Sequence, residues 1–105
     1  MKTIKIRLEY DCFPIWLYDE KGEFIDNELP EFLIGDEIID TGFTKIQKSF
    51  NALFLNNGKE FRYIGFKDKD IKLEFIEQFN KLLSILNDSV KNEYKVENEV
   101  NAQNL

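Results

Sequence analysis

The first residues of the chain alternate between apolar and polar side chains. Over residues 3–10, apolar side chains occupy every second position from Ile4 to Tyr10, and polar side chains occupy the positions between them. This period of two predicts a strand with one buried face. Pro14 ends the pattern, since proline lacks an N–H donor and restricts the residue before it to an extended conformation.

Further strands are predicted from short apolar runs bounded by turn residues. Residues 14–18 read as a second strand, and residues 19–22, Asp-Glu-Lys-Gly, as a tight turn. Residues 23–26 then predict a short third strand. Near the end of the chain, residues 93–100 alternate again and predict a last strand.

The middle of the chain has the apolar spacing of helices. A first stripe recurs every three or four residues and consists of Ile39, Phe43, Ile46, Phe50, Leu53 and Phe54. Asp36 is its predicted N-cap, and Asn57-Gly58 its predicted stop. Gly42 lies inside this helix, where glycine is less favourable than alanine by about 1 kcal/mol, so a kink is possible there. A second apolar stripe predicts a helix over residues 68–91 with Asp68 as its N-cap.

The segment between the two helices is rich in aromatic and aliphatic residues. Residues 61–66, Phe-Arg-Tyr-Ile-Gly-Phe, predict a strand at a central position in a sheet. With helix 68–91 and strand 93–100 it would form a βαβ unit, and its crossover would be right-handed if the two strands are parallel. Residues 101–105 are predicted to be a frayed tail.

These elements predict an α+β fold. Each strand has one polar face and each helix has one apolar stripe, so two layers bury both. We expect a mixed β-sheet of four or five strands with two helices packed on one face, in the order β-β-(β)-α-β-α-β. No internal repeat or linker divides the chain, so residues 1–100 are predicted to form a single domain.

Composition excludes several classes of function. The chain has 105 residues, no histidine and one cysteine, which excludes histidine-based catalytic triads, the usual zinc sites and an internal disulfide. Its net charge of −6 argues against direct binding to nucleic acid or an anionic membrane. No apolar stretch is long enough to span a membrane, and Arg7 and Glu9 interrupt the first apolar segment. We therefore expect neither a membrane span nor a signal peptide, and a cytoplasmic location.

The negative charge is concentrated in one third of the chain. Residues 9–40 contain eleven acids and one base, a sum of −10, whereas residues 1–8 carry +3 and residues 41–105 carry +1. Any single acid is explained by a solvated turn or a helix start. The block as a whole is explained less well that way, because like charges repel. A concentrated acidic surface suits a basic partner, whose approach it would steer.

The acids match no diagnostic metal or catalytic pattern. An EF-hand with Gly22 at its sixth position would need oxygen ligands at Leu17 and Lys21, so a hairpin turn is predicted instead. Cys12 follows Asp11, an acid that opposes ionisation of the thiol, and is predicted to be a packing residue. The remaining carboxylate pairs are accompanied by no phosphate-binding loop. We therefore predict no catalytic residue, no metal ligand and no cofactor.

Trp16 and Tyr18 share one face of the predicted second strand. If Ile15 and Leu17 face the helices, the two aromatic residues face outward beside the acidic block, where they could contact a basic partner. The alternative is that Trp16 is buried in the core.

Residues 10–16, Tyr-Asp-Cys-Phe-Pro-Ile-Trp, resemble the opening of a group of small acidic bacterial proteins of the polymorphic-toxin immunity type. The acidic turn at 19–26, the Leu-Pro connector at 29–30 and the segment 57–66 also resemble that group, so the resemblance covers most of the chain. It implies a fold of mixed α and β type and a function by binding. It identifies no contact residues.

The sequence thus predicts an immunity-type protein that neutralises a cognate bacterial toxin by direct binding through an acidic surface. A basic toxin domain, such as a nuclease, is the expected partner, because a segment of −10 would compete with nucleic acid for the same cations. The predicted partner-binding residues are Trp16, Asp19, Glu20, Glu23, Asp26, Asp36, Glu37 and Asp40. Three alternatives remain open: a nucleic-acid-mimicking inhibitor, a housekeeping protein-interaction adaptor, and a small metal-dependent enzyme.

Overall fold

The computed structural model describes all 105 residues and contains six strands and two α-helices. The strands are β1 (Lys2–Ile6), β2 (Ile15–Tyr18), β3 (Phe24–Asp26), β4 (Phe54–Asn56), β5 (Phe61–Tyr63) and β6 (Tyr94–Asn98). The helices are α1 (Ile39–Asn51) and α2 (Lys69–Val90). Two single-turn 3₁₀-helices cover Glu31–Leu33 and Ala102–Asn104.

Four strands form one mixed sheet in the order β3-β2-β1-β6. Strand β1 pairs antiparallel with β2 and parallel with β6, and β2 pairs antiparallel with β3. The predicted α+β fold, with its mixed sheet and two helices, is confirmed. Strand β1 ends at Ile6, four residues before the predicted end. The chain then turns at residues 9–12, where the N–H of Cys12 donates to the carbonyl oxygen of Glu9 at 3.1 Å and Asp11 has a φ of 59°.

One face of the sheet and the apolar stripes of both helices share a single core. Ile4, Ile6 and Ile15 are fully buried on the inner sheet face, which confirms the alternation predicted for β1 and β2. The same core contains Phe43 of α1 and Leu86 of α2, both also fully buried. The sheet and the helices therefore form the two expected layers.

Helix α1 runs without a break through Gly42, although the low helix propensity of glycine allows a kink there. The reason for the glycine is packing against α2. A Cβ atom at Gly42 would lie 2.4 Å from Cδ2 of Leu82, whereas carbon atoms in ordinary contact are about 3.5–4.0 Å apart. Glycine therefore permits the close approach of the two helices, which outweighs its poor helix propensity.

The prediction for residues 61–66 was wrong in two respects. Strand β5 is not central: it pairs only with β4, in a separate two-stranded hairpin, and all three of its residues are exposed. The predicted βαβ unit does not form, since β6 pairs with β1 instead. Phe61 and Tyr63 belong to an aromatic cluster on the hairpin, whereas Phe66 packs against the core. Rings of Tyr10, Phe54 and Phe61 lie 4.7–5.3 Å apart in the cluster.

The C-terminal end of α1 explains why β4 was not predicted. The helix ends at Asn51, and the N–H of Leu53 donates to the carbonyl oxygen of Phe50 at 3.0 Å. Leu53 is buried as predicted, but its carbonyl oxygen accepts from Ile64 N–H at 2.7 Å, which begins the hairpin. Gly58, predicted to cap the helix, has a φ of 83° in the hairpin turn instead. Spacing alone could not distinguish these last apolar residues from another helical turn.

Helix α2 confirms its predicted start, because Oδ1 of Asp68 accepts the N–H of Ile71 at 2.9 Å. The tail differs from the predicted frayed segment 101–105. Ala102 is buried in the core, and Nζ of Lys72 donates to the carbonyl oxygen of Gln103 at 2.8 Å. Neither helix has the length and hydropathy needed to cross a membrane.

Candidate partner-binding surface

The hairpin of β2 and β3 carries four of the predicted partner-binding acids. Oδ1 of Asp19 accepts the N–H groups of Lys21 and Glu23, each at 2.9 Å, and so holds the turn together. Oδ1 of Asp26 accepts the N–H of the next residue at 2.8 Å. Glu20 and Glu23 are exposed, and their carboxylates bind no other group of the protein. Their charges are therefore available to a partner.

The other three predicted acids lie at the start of α1. Oδ1 of Asp36 accepts the N–H groups of residues 38 and 39, at 2.9 and 2.8 Å, in the turn that leads into α1. The N-cap position itself is Ile38, two residues later than predicted, because the regular helix begins only at Ile39. Oδ2 of Asp40 accepts the N–H of Gly35 at 2.7 Å and closes the preceding loop. Glu37 is exposed and makes no side-chain hydrogen bond. The predicted acids therefore lie in two groups on different elements.

Within both groups the aspartates and glutamates differ in the same way. Each aspartate accepts a hydrogen bond from a nearby backbone N–H, because its short side chain reaches back to its own turn. The longer glutamates extend into solvent. The predicted set thus divides into acids that shape loops, which are Asp19, Asp26, Asp36 and Asp40, and free acids, which are Glu20, Glu23 and Glu37.

None of the eleven acids between residues 9 and 40 has an ion-pair partner. The ion pairs of the protein join Arg7 to Glu99, Arg62 to Glu60 and Lys95 to Glu97. Every acid of the segment is also exposed or half-buried. The charge of −10 is consequently uncompensated within the folded chain.

Trp16 lies on the outer face of the sheet, half-buried and next to basic residues. Cζ of Arg7 is 5.2 Å from the centre of its ring, and Nζ of Lys5 is 4.8 Å from that of Tyr18. Indole Nε1 donates to the carbonyl oxygen of Arg7 at 3.2 Å, and the ring packs beside Phe24 at 6.0 Å. The outward orientation agrees with the sequence analysis, but cations rather than acids contact these rings. A partner-binding role for Trp16 stays a prediction.

Arg7 connects this aromatic face to Glu99, the residue that follows β6. Its Nε donates to Oε1 of Glu99 at 2.9 Å, and its Nη2 donates to the hydroxyl of Tyr18 at 3.1 Å. The hydrogen bonds to Glu99 and then to Tyr18 raise the pKa of Arg7 above its usual value. Arg7 thus has an ion-pair partner within the protein, whereas none of the acids of residues 9–40 has one.

The acidic segment also carries a set of exposed apolar side chains that its sequence pattern did not predict. Between 52% and 62% of each remains accessible, and they are Phe24, Ile25, Phe32, Ile34 and Ile38. A signal existed in the sequence: the connector Glu-Phe-Leu-Ile-Gly at 31–35 carries three consecutive large apolar residues, of which one loop can bury only some. Apolar side chains framed by charges are typical of protein interfaces.

Other features offer less chemistry. The largest cavity, about 450 Å³, lies between α2 and the C-terminal residues, and its lining contains amide side chains such as Asn80 and Asn101 but no titratable group. No three acidic or cysteine side chains converge closely enough to hold a metal ion. Cys12 is half-buried and unpaired.

Comparison with known proteins places the chain in no family. No protein-family model matches it, and no curated protein matches it either.

Proposed function

We propose that this protein is an immunity-type binder that neutralises a cognate bacterial toxin through its acidic surface. The observation that carries the proposal is the uncompensated charge of residues 9–40: eleven acids, one base and no ion pair. Folding gains little from unpaired like charges, which repel one another. Their concentration is useful when a basic partner approaches.

The partner that fits this surface is a basic domain, with a nuclease as the leading case. A nuclease binds phosphates with lysine and arginine side chains, and a glutamate cluster can occupy the same side chains. All the acids of residues 9–40 would contribute to steering, and Glu20, Glu23 and Glu37 would contact the partner's cations directly, because no backbone group competes for their carboxylates. Exposed apolar residues of the same segment would exclude water from the contact.

The test begins with the tagged protein as bait in its native cell. The expected result is one stoichiometric basic partner that is toxic when expressed alone and harmless when expressed with this protein. Capture without toxicity would contradict the immunity role and would favour the adaptor alternative. Displacement of DNA from several unrelated basic proteins would instead favour the nucleic-acid mimic.

Charge reversal then tests whether the acidic surface is the site. The variant Glu20→Lys with Glu23→Lys should slow association with the partner by about ten-fold or more, with a weaker dependence on salt. The control variant, Glu74→Lys with Glu77→Lys, makes the same charge change at exposed positions of α2. Equal effects of the two variants would show that only net charge matters and would contradict a defined acidic site.

A further inference from the structure

Three of the exposed apolar side chains are concentrated in one short loop. Residues 31–38, called here the 31–38 loop, contain Phe32, Ile34 and Ile38, of which 57%, 53% and 62% are accessible. Large apolar side chains left this exposed within eight residues are a feature of interaction sites. Glu31 and Glu37 lie among them and are exposed without an ion pair.

The 31–38 loop is held in place from both sides. Leu33 is buried in the core within the loop, and Ile39 is buried directly after it. The N–H of Asp36 donates to the carbonyl oxygen of Leu33 at 3.0 Å, and the N–H of Gly35 donates to Oδ2 of Asp40 at 2.7 Å. The exposed side chains therefore project from a fixed backbone, which lowers the entropy lost when a partner binds them.

A second group of exposed apolar residues provides a contrast within the same molecule. It lies on β5 and the start of α2 and consists of Phe61, Tyr63, Ile64, Ile71 and Leu73. Residues 59–73 contain five bases and three acids, a sum of +2, whereas the 31–38 loop belongs to the segment of −10. The two groups have similar apolar side chains and opposite charge. Charge complementarity therefore assigns a basic partner to the 31–38 loop only.

We propose that the 31–38 loop is the apolar anchor of the partner interface, inserting Phe32, Ile34 and Ile38 into an apolar cleft rimmed by lysine or arginine. This inference rests on the proposed function. It identifies the contact that determines the lifetime of the complex between this protein and its partner. Glutamates such as Glu37 accelerate encounter, whereas buried apolar side chains slow dissociation. Asp36 and Asp40 are positioning residues in this arrangement. A second copy is a poor occupant, because a symmetric contact would bring the same acids together.

The experiment uses two synthetic peptides as probes, measured by isothermal titration against the full-length protein. One is an amphipathic peptide of lysine and leucine at helical spacing, and the other has serine in place of every leucine. The wild type should bind the lysine–leucine peptide more tightly than the lysine–serine peptide, by a factor of about ten or more in Kd. Phe32→Ser and Ile38→Ser should each remove most of this preference and leave binding of the lysine–serine peptide unchanged. Ile71→Ser, in the basic group, is the matched control and should change neither affinity.

The outcomes separate this inference from the proposed function. Equal affinity for the two peptides, or a preference that survives Ile38→Ser, overturns the anchor and leaves the acidic surface intact. Failure of both peptides to bind overturns the acidic surface as well. Sedimentation of the protein alone tests whether a second copy covers the loop. Dimerisation of the wild type that Ile38→Ser abolishes would show that it does, and would overturn the proposal.

Discussion

Adding one methyl group at Gly42 tests the packing of α1 on α2. In an exposed helix, Gly→Ala stabilises by about 1 kcal/mol, because alanine has the higher helix propensity. At Gly42 the new Cβ would lie 2.4 Å from Cδ2, 2.9 Å from Cδ1 and 3.2 Å from Cγ of Leu82. Because Cγ is also too close, turning one methyl group aside cannot relieve the overlap. Leu82 is 1% exposed, so its neighbours restrict any larger movement.

The expected free energies follow from two opposed terms. Overpacking a core costs about 1–3 kcal/mol, which exceeds the gain in propensity, so Gly42→Ala should lower the free energy of unfolding by about 1 kcal/mol. Leu82→Ala alone should lower it by about 2–5 kcal/mol through the cavity it leaves. In the Leu82→Ala background the overlap is gone, and Gly42→Ala should then stabilise by about 1 kcal/mol. The coupling energy between the two sites is therefore about 2 kcal/mol.

Urea denaturation of the wild type, both single variants and the double variant measures this coupling. Thr41→Ala is the matched control, because Thr41 is the exposed neighbour in the same helix turn. It should have the same small effect in both backgrounds. Stabilisation of the wild type by Gly42→Ala, or additivity of the two substitutions, would refute the packing argument. A changed m-value would show that the comparison is not between the same two states.

Three further predictions concern other parts of the molecule. Deletion of residues 101–105 should lower the free energy of unfolding by about 2 kcal/mol in urea denaturation, since Ala102 is buried; an unchanged value would restore the frayed tail. Phe54→Ala should destabilise by about 2 kcal/mol in the same assay, and more than Phe61→Ala, because Phe61 is 54% exposed. Thermal melting should show stability rising between about 0.02 and 0.2 M sodium chloride, as salt screens repulsion within residues 9–40; a falling midpoint would contradict the uncompensated charge.

Local sequence patterns correctly predicted the strands and helices that bury a single face in the core. The alternation at β1 and the apolar stripe of α2 each define one face to be buried, and the structure agrees with both except at Ile71, which is 45% exposed. The prediction for residues 61–66 failed because aromatic content does not say which apolar surface a strand meets. Here Phe54 and Phe61 stack on each other at 5.3 Å, outside the main core. Pairing of this kind depends on contacts between segments, which periodicity does not encode.

Gly42 is a second case in which a contact between distant segments, not the local pattern, determines the role of a residue. Its propensity indicated a weak point in α1, whereas its function is set by a residue forty positions later, Leu82. The exposed side chains of the 31–38 loop were missed for a related reason. Leu33 is buried while its neighbours Phe32 and Ile34 are not, and this selection depends on how the connector crosses the core.

For the acids of residues 9–40, net charge alone does not show which carboxylates stabilise the fold and which are free to bind a partner. The hydrogen bonds of each side chain separate the two. Fold requirements account for four of the aspartates: Asp19, Asp26, Asp36 and Asp40 accept backbone N–H groups that would otherwise lose their acceptors. They do not account for the exposed glutamates such as Glu23, whose carboxylates accept no hydrogen bond and pair with no cation. A neutral residue at those positions would reduce repulsion and leave every observed contact in place. A binding partner would explain both the charge that folding does not use and the apolar surface beside it that folding does not bury.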